Sequence, residues 1–496
     1  MTAELMLAVD QGTTNTKAVL VGRDGAIRFV CSAPLELLQP QPGWVEQDAL
    51  ALWESVVSVV QQAAAFAAAH GARIAGLALS NQRETAAAWR RSGEPVAHAI
   101  TWQCRRTAQV CARLAESAGR VAERTGLPLD PLVSASKWAW LLEQRPELRA
   151  EAEQGAVLLG TVDAWLVYRL TGGRVHATDH TNASRTALLR LDTLTWDPEM
   201  MALFGVPLRA MPVVQPSVSS YGVCTAIPEL RDVPIVAVLG DSHAAVAGHG
   251  CYQPGFVKAT YGTGSSLMLL VDQLPAHATT LARTLAWSTV TGPQYALEGN
   301  ITMAGSALQW VGEFLGLPAP AEDAARLAAT VPDAQGVIFV PAMVGLGAPY
   351  WDTAARGAVL QLERFHKAAH LARAAVEAIA HQVADVLDAM EHTTGGALQA
   401  LHADGGATRN AALMQFQADV LGRPVLRSAA EELSARGAAL LGGLQLGWWP
   451  DFAAMERLPH AVIEFVATMD TESREQRRRA WQHAVARVRS GREPQA

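Results

Sequence analysis

Apolar positions along this chain mark out two similar series of strands and helices. Residues 5–9 are an apolar run ending in Asp10-Gln11-Gly12-Thr13-Thr14-Asn15-Thr16-Lys17, and residues 18–21 are apolar again, which predicts two strands joined by a glycine/threonine turn. Gly22-Arg23-Asp24-Gly25 makes a second turn before a strand around residues 27–31, so three hairpin-linked strands open the chain. Asp48 stands at a helix-cap position, and Leu52, Trp53, Val56, Val60 and Ala64 follow at helical spacing until Gly71. Residues 74–79 read as the next strand, with Ser80-Asn81-Gln82-Arg83-Glu84-Thr85 at its carboxyl end. A strand-like piece ends near Trp102, a helix is expected over 105–118, and a strand at 235–239 delivers Gly240-Asp241-Ser242-His243.

From Gly250 the plan starts again. Residues 256–261, the turn Gly262-Thr263-Gly264-Ser265 and residues 267–271 repeat the opening hairpin in kind. Strands at 284–290 and 295–299, a helix over 304–314, a strand at 337–340 and a long helix over 368–390 follow. Residues 398–403 then run into Asp404-Gly405-Gly406-Ala407-Thr408-Arg409-Asn410, and a helix over 435–446 and a charged one over 470–490 close the chain. This is a repeat at domain scale. It predicts an α/β protein of two halves, 1–247 and 248–496, facing each other across a central cleft.

Composition narrows the partners. With 496 residues, 50% hydrophobic and 18% charged, the chain is an ordinary globular one with room for two cores. A formal net charge of −7 argues against a polyanion-binding surface, so no nucleic acid is expected. Five scattered cysteines without metal-ligand spacing suit a reducing compartment, and a cytoplasmic location is expected. The N-terminus shows no basic segment before an apolar core, and no stretch of about 18 uninterrupted apolar residues occurs, so neither export nor a membrane is expected.

Neither a Gly-x4-Gly-Lys-Ser/Thr loop nor a Gly-x-Gly-x-x-Gly fingerprint is present. In their place, each half carries a glycine/hydroxyl turn whose backbone N–H groups can approach an anion. Gly12, Thr13, Thr14 and Lys17 would hold one part of a polyphosphate, and Gly262, Thr263 and Gly264 another. Asp10, beside the first turn, would either support Mg²⁺, directly or through water, or close an Asx-turn. Gly405-Gly406 leaves room for a base or ribose against backbone, with Asn410 offering amide contacts, or is simply a helix start. Asp241, at a strand end before small residues, would either cap the following helix or take a proton from a substrate hydroxyl. Arg83, Glu84 and Trp102 supply donors, acceptors and an apolar face for a polyol, and His243 would orient a hydroxyl or make a structural hydrogen bond.

Several stretches resemble the FGGY carbohydrate kinases, and within them the glycerol kinases, over nearly the whole length. They include Asp10-Gln11-Gly12-Thr13-Thr14, Gly43-Trp44-Val45-Glu46, Asn81-Gln82-Arg83-Glu84-Thr85, Thr181-Asn182-Ala183-Ser184, Tyr261-Gly262-Thr263-Gly264, Tyr295-Ala296-Leu297-Glu298-Gly299, Gly345-Leu346-Gly347-Ala348-Pro349-Tyr350-Trp351-Asp352 and Met414-Gln415-Phe416-Gln417-Ala418-Asp419. The resemblance implies two actin-like, ribonuclease-H-like domains closing over ATP, Mg²⁺ and a small polyol or sugar. Asp241 would then be the general base, with Asp10 and Asp241 serving the metal. Thr14, Lys17 and Thr263 would contact phosphates, and Gly305, Gln309, Gly406 and Asn410 would line the nucleotide. Arg83, Glu84 and Trp102 would line the polyol, with Ser242, His243 and Ser266 beside them.

Three departures bear on the acceptor. Leu132 and Val133 stand where glycerol kinases usually have Tyr-Phe, Ser266 replaces an aromatic residue, and Ser242-His243 replaces Gln-Gln. Lys17 also replaces an arginine, which keeps the charge and loses the planar fork. The three substitutions imply a roomier pocket, with glycerol expected first and a tetritol, pentitol or pentulose next. The loop at 225–233 is short, and no regulation by fructose bisphosphate is expected. A homodimer or homotetramer stays open. A nucleotide-gated clamp or sensor of the actin type is the alternative of another class; it would need a peptide-binding or filament-forming element.

Overall fold

The computed structural model describes residues 3–277 and 279–490. β1 (Glu4–Gln11) and β2 (Asn15–Gly22) pair antiparallel, with Asp10 directly opposite Lys17. Leu5, Leu7 and Val9 face one core and Met6 and Ala8 another, which is why the run reads as continuously apolar. β3 (Ile27–Pro34) is an edge strand with alternating burial. α1 (Ala49–Ala69) starts at Asp48, whose carboxylate accepts from the Leu50 N–H. By length and composition α1 could cross a bilayer, yet its Leu52, Val56, Val59 and Val60 stripe is buried on the first sheet.

β4 (Arg73–Asn81) runs parallel to β1, and β5 (Ile235–Gly240) parallel to β4, giving the order β3-β2-β1-β4-β5. A small sheet of Glu46–Gln47, Ala99–Ile100, Ala86–Arg90 and Val157–Thr161 supports the loops around Glu84 and Trp102. The helix expected over 105–118 is broken into Ala108–Arg113, a 3₁₀ turn at Ala115–Ser117 and Ala118–Thr125. Ser117 and Gly119 are poor helix formers at that point, and the last turn tightens.

After α2 (Asp241–Gly248) the second half forms β6 (Val257–Tyr261), β7 (Ser265–Val271), β8 (Ala282–Thr289) and β9 (Gly292–Ile301). α3 (Gly305–Phe314), α4 (Ala368–Thr394), β10 (Leu401–Asp404), α5 (Ala411–Leu421), β11 (Val425–Ser428), α6 (Leu433–Gln445), β12 (Val462–Phe465) and α7 (Thr471–Val488) complete it. The sheet order is β8-β9-β7-β6-β10-β11-β12. Its inner five strands repeat the pattern of the first sheet, with β8 and β12 added at the edges.

α2 and α6 lie between the two sheets and exchange sides. α6, from the second half, packs on β1, β2, β4 and β5, while α2, which follows β5, packs on β7 and β8. Met6, Ala8, Val246, Met268, Ala296 and Ala438 share this middle core. The helices cross backbone to backbone: a Cβ on Gly437 would meet the Ala244 carbonyl oxygen at 1.8 Å, and one on Gly248 the Leu433 oxygen at 2.2 Å. Arg436 is buried at the crossing and donates to the carbonyls of Gly25, Gly248 and Pro459, so its charge is met by backbone dipoles from three segments.

Candidate active site

Both glycine turns are held by their carbonyls and by one internal bond each, from the Gly12 N–H to the Asn15 oxygen at 3.0 Å and from the Gly262 N–H to the Gly264 oxygen at 2.9 Å. In the first, Gln11 and Gln82 donate to the Gly12 oxygen at 2.6 and 3.3 Å, Gln47 to the Thr13 oxygen at 2.7 Å and the Leu35 N–H to the Thr14 oxygen at 2.8 Å. The Thr13 and Thr14 N–H groups find no acceptor among the described residues. In the second, the Thr263 oxygen accepts from the Ala304 and Ser306 N–H groups and the Gly262 oxygen from Gly305, so the turn is seated on the N-terminus of α3. A Cβ on Gly264 or Gly305 would strike backbone at 2.4 or 2.7 Å, whereas one on Gly406 meets nothing within 4 Å and faces open space. Such N–H-lined hollows beside helix N-termini suit anionic oxygens.

Gly405 holds φ +95° against the Tyr261 backbone, which brings the Gly405-Gly406 turn beside the second anion turn. Asn410 caps α5, its side-chain oxygen accepting from the Leu413 N–H at 3.1 Å. Gln309, one turn into α3, donates to Glu313 at 2.6 Å.

Close to Asp10 and the first turn stands Asp241. It is the first residue of α2, its carboxylate accepting from the Ser242 N–H at 2.6 Å, and its side chain is 38% exposed to the cleft. The low-dielectric cleft raises its carboxyl above the ordinary range, against the opposing pull of Arg83. Arg83 Nε lies 3.2 Å from Asp241 Oδ1, and its Nη1 donates to Glu298 Oε1 at 2.6 Å. Glu298, on β9, is fully buried and also meets Arg185 at 2.8 Å, while Ser266 Oγ donates to it at 3.0 Å. Arg185 in turn donates to Glu84 Oε1 at 2.7 Å. Five charges thus alternate in sign from Asp241 through Arg83, Glu298 and Arg185 to Glu84. Burial alone would raise the Glu298 carboxyl, but Arg185 and Arg83 hold it far below the usual carboxylate range.

Glu84 carries φ +61°, a left-handed conformation costing roughly 1–3 kcal/mol in a residue with a side chain. The Arg185 ion pair and the buried Lys137 ammonium, which donates to the carbonyls of Glu84 and Leu132, hold it there. Trp102 is tied to the first turn, its indole N–H donating to Thr13 Oγ1 at 2.9 Å.

Asp10 accepts from Ser80 Oγ at 2.8 Å, and its carboxyl is pushed up to about 6 by burial first and then by Asp241 and Glu432. That surplus of negative charge fits a hard divalent cation. Among the described residues no three His, Cys, Asp or Glu side chains are grouped closely enough to hold a metal alone, so such an ion would keep water or phosphate as most of its ligands.

Of the two readings of His243 the structure carries the structural hydrogen bond: the residue is wholly buried and its Nε2 lies 3.4 Å from Thr284 Oγ1. Ser242, nearly buried, contributes its backbone N–H to Asp241. Sequence reasoning assigned no role to Glu298, Arg185 or Glu432. The signal for Glu298 was an acid in a strand whose neighbours Ala296, Leu297 and Gly299 are all small or apolar.

Comparison with known proteins shows the family. The family model described as the FGGY family of carbohydrate kinases, N-terminal domain, matches residues 5–248, and its C-terminal counterpart matches residues 257–446. The chain belongs to the FGGY family of carbohydrate kinases. It is 43% identical over 488 residues to a glycerol kinase of Symbiobacterium thermophilum, covering 98% of each chain. It is 46% identical over 500 residues to an apulose kinase of Pectobacterium atrosepticum, covering 99% of each. A crystal structure of Plasmodium falciparum glycerol kinase with ADP superimposes with TM-score 0.91 at 29% identity, covering 98% of each chain. A ligand-bound xylulose kinase from Lactobacillus acidophilus shares the fold, with TM-score 0.86 at 22% identity and 97% of each chain covered. The fold is the actin-like, ribonuclease-H-like two-domain fold.

Proposed function

We propose that the protein transfers the γ-phosphoryl group of ATP to a terminal hydroxyl of a small polyol or sugar, glycerol first, with Asp241 as general base. The observation that carries this reading is the Asp241 carboxylate, anchored by Arg83 and partly exposed, in a chain with two glycine turns that keep N–H groups free among the described residues. The Gly12–Thr14 and Gly262–Gly264 turns would take the phosphates, through the N–H groups of Thr13, Thr14, Thr263 and Gly264, together with Lys17. Gly305, Gln309, Gly406 and Asn410 would line the nucleotide, and Arg83, Glu84 and Trp102 the acceptor. Asp10 and Asp241 would hold Mg²⁺, which when bound offsets charge on the phosphates. Asp241 draws the proton from the acceptor hydroxyl, Arg83 keeps that carboxylate aimed, and the indole of Trp102 shields one side of the pocket from water. The halves would correspond to residues 1–247 and 248–496.

A second reading, a four- or five-carbon polyol or ketose as acceptor, is favoured by Ser266 and Leu132. A small hydroxyl bonded to Glu298 and an aliphatic side chain occupy positions where the glycerol kinases usually carry aromatic rings. Relatives named for glycerol and for apulose match at similar identity. A panel of polyols and ketoses, ranked by kcat/KM from coupled ADP production, tests both. Glycerol at the top supports the first, and a four- or five-carbon compound far above it the second. Asp241→Ala should keep nucleotide affinity and lose turnover by about two to four orders of magnitude; near-normal turnover would remove Asp241 from its role.

A further inference from the structure

Lys17, the cation read as a phosphate ligand, is already engaged. Its Nζ donates to both carboxylate oxygens of Glu432 at 2.8 Å each. Glu432 lies 415 residues further along the chain and immediately precedes α6. Because α6 crosses onto the first sheet, its N-terminus delivers that carboxylate to the strand that follows the first anion turn. Glu432 does not use its side chain to cap α6, and among the described residues Lys17 is its hydrogen-bonding partner at both oxygens.

The pair sits at the edge of the cleft rather than deep in the core. The Lys17 side chain is 34% exposed and that of Glu432 15%. Across the β1–β2 ladder Lys17 also stands opposite Asp10. One ammonium therefore serves a neighbourhood with carboxylates on two sides before any phosphate arrives. A phosphate oxygen reaching Lys17 must take over at least one of the two bonds to Glu432, and then lies beside the carboxylate it displaced.

We infer that Glu432 is a positioning residue that sets nucleotide affinity: it holds the Lys17 ammonium in place and competes with the polyphosphate for it. The inference rests on the reading of Lys17 as a phosphate ligand. Removing the negative charge while keeping the shape should free Lys17 for the nucleotide and remove a like-charged neighbour.

The test is calorimetric binding of Mg·ADP to the full-length protein, with KM for ATP and for the best acceptor measured alongside. Glu432→Gln is expected to bind Mg·ADP about 3- to 10-fold tighter and to lower KM for ATP similarly, with KM for the acceptor unchanged. A general loosening of the site would move both constants and would not tighten either. Unchanged or weaker ADP binding by E432Q would overturn the inference. The same pair of measurements in a Lys17→Met background completes the cycle. There the gain from E432Q should largely disappear; an equal gain would mean that Glu432 acts without Lys17 and would also overturn it. Wild-type protein that binds neither ADP nor ATP would instead sink the kinase reading, and the inference with it.

Discussion

Replacing Glu298 by Gln gives the sharpest test of how the site is held. The carboxylate is fully buried and stands between two guanidiniums, with Arg83 at 2.6 Å and Arg185 at 2.8 Å. Glutamine keeps the shape, but leaves Arg83 and Arg185 facing each other across a neutral amide. Breaking a buried ion pair by removing one partner costs about 3–5 kcal/mol, a large share of the roughly 5–15 kcal/mol that holds a domain folded. Arg83, released from its stronger anchor, would turn wholly to Asp241, and a carboxylate paired more tightly with a guanidinium is a weaker base. We expect E298Q to unfold at clearly lower urea concentration and to lose at least about 100-fold in kcat/KM for the acceptor, while KM for ATP changes less than about threefold. Equilibrium unfolding and steady-state kinetics on the same preparation check both. Wild-type stability would refute the burial argument. Lost stability with normal kcat/KM would show that the network holds the fold without aiming Asp241.

Three further outcomes follow from single contacts. Gly437→Ala places a methyl 1.8 Å from the Ala244 oxygen and should cost about 3 kcal/mol or more by forcing α6 off α2; wild-type stability in denaturant would show that the helices can slide apart. Trp102→Phe keeps the ring and loses the 2.9 Å bond to Thr13, so KM for ATP should rise about fivefold, and an unchanged KM would detach the indole from the phosphate turn. Lys137 is pushed down to about 8 by burial, so between about pH 8 and its ordinary 10.5 the unfolded chain binds the extra proton and this residue makes folding more favourable as pH rises, by at most about 1.4 kcal/mol per unit. Lys137→Met should flatten that slope in urea titrations at pH 7.5 and 9.5, and an unaltered slope would place the lysine's proton elsewhere.

The hairpins, the α1 cap and the doubled plan were legible because they are local. Asp10 to Lys17 carries its own turn chemistry, and Asp48 to Gly71 its own cap and stop. What was not legible depends on which faces meet. His243 could be read as an acceptor contact because it follows Asp241 by two residues, yet one half-turn of helix carries its ring behind Arg83 and against Thr284. Glu298 lies in a stretch that carries the family resemblance and Arg185 directly follows another, but nothing local says that strand β9 turns its one acid toward two arginines of the other half.

The crossing of α2 and α6 makes the same point for the chemistry itself. Asp241 opens α2 and Glu432 immediately precedes α6, so the proposed base and the counter-ion of Lys17 both sit at the starts of the two helices that touch through glycine backbone. Any displacement of one helix along the other moves both charges relative to Arg83 and Lys17. The 1.8 Å clearance at Gly437 permits no larger residue, and the three carbonyl bonds of Arg436 tie the same crossing to the Gly25 turn and to Pro459. Precision at the proposed reacting centre would therefore be set by backbone packing behind it, around Ala244, Gly248, Leu433, Arg436 and Gly437, none of which has a proposed part in the reaction. The residues proposed to carry the chemistry stand in motifs, whereas those that would aim it emerge only from the packed structure.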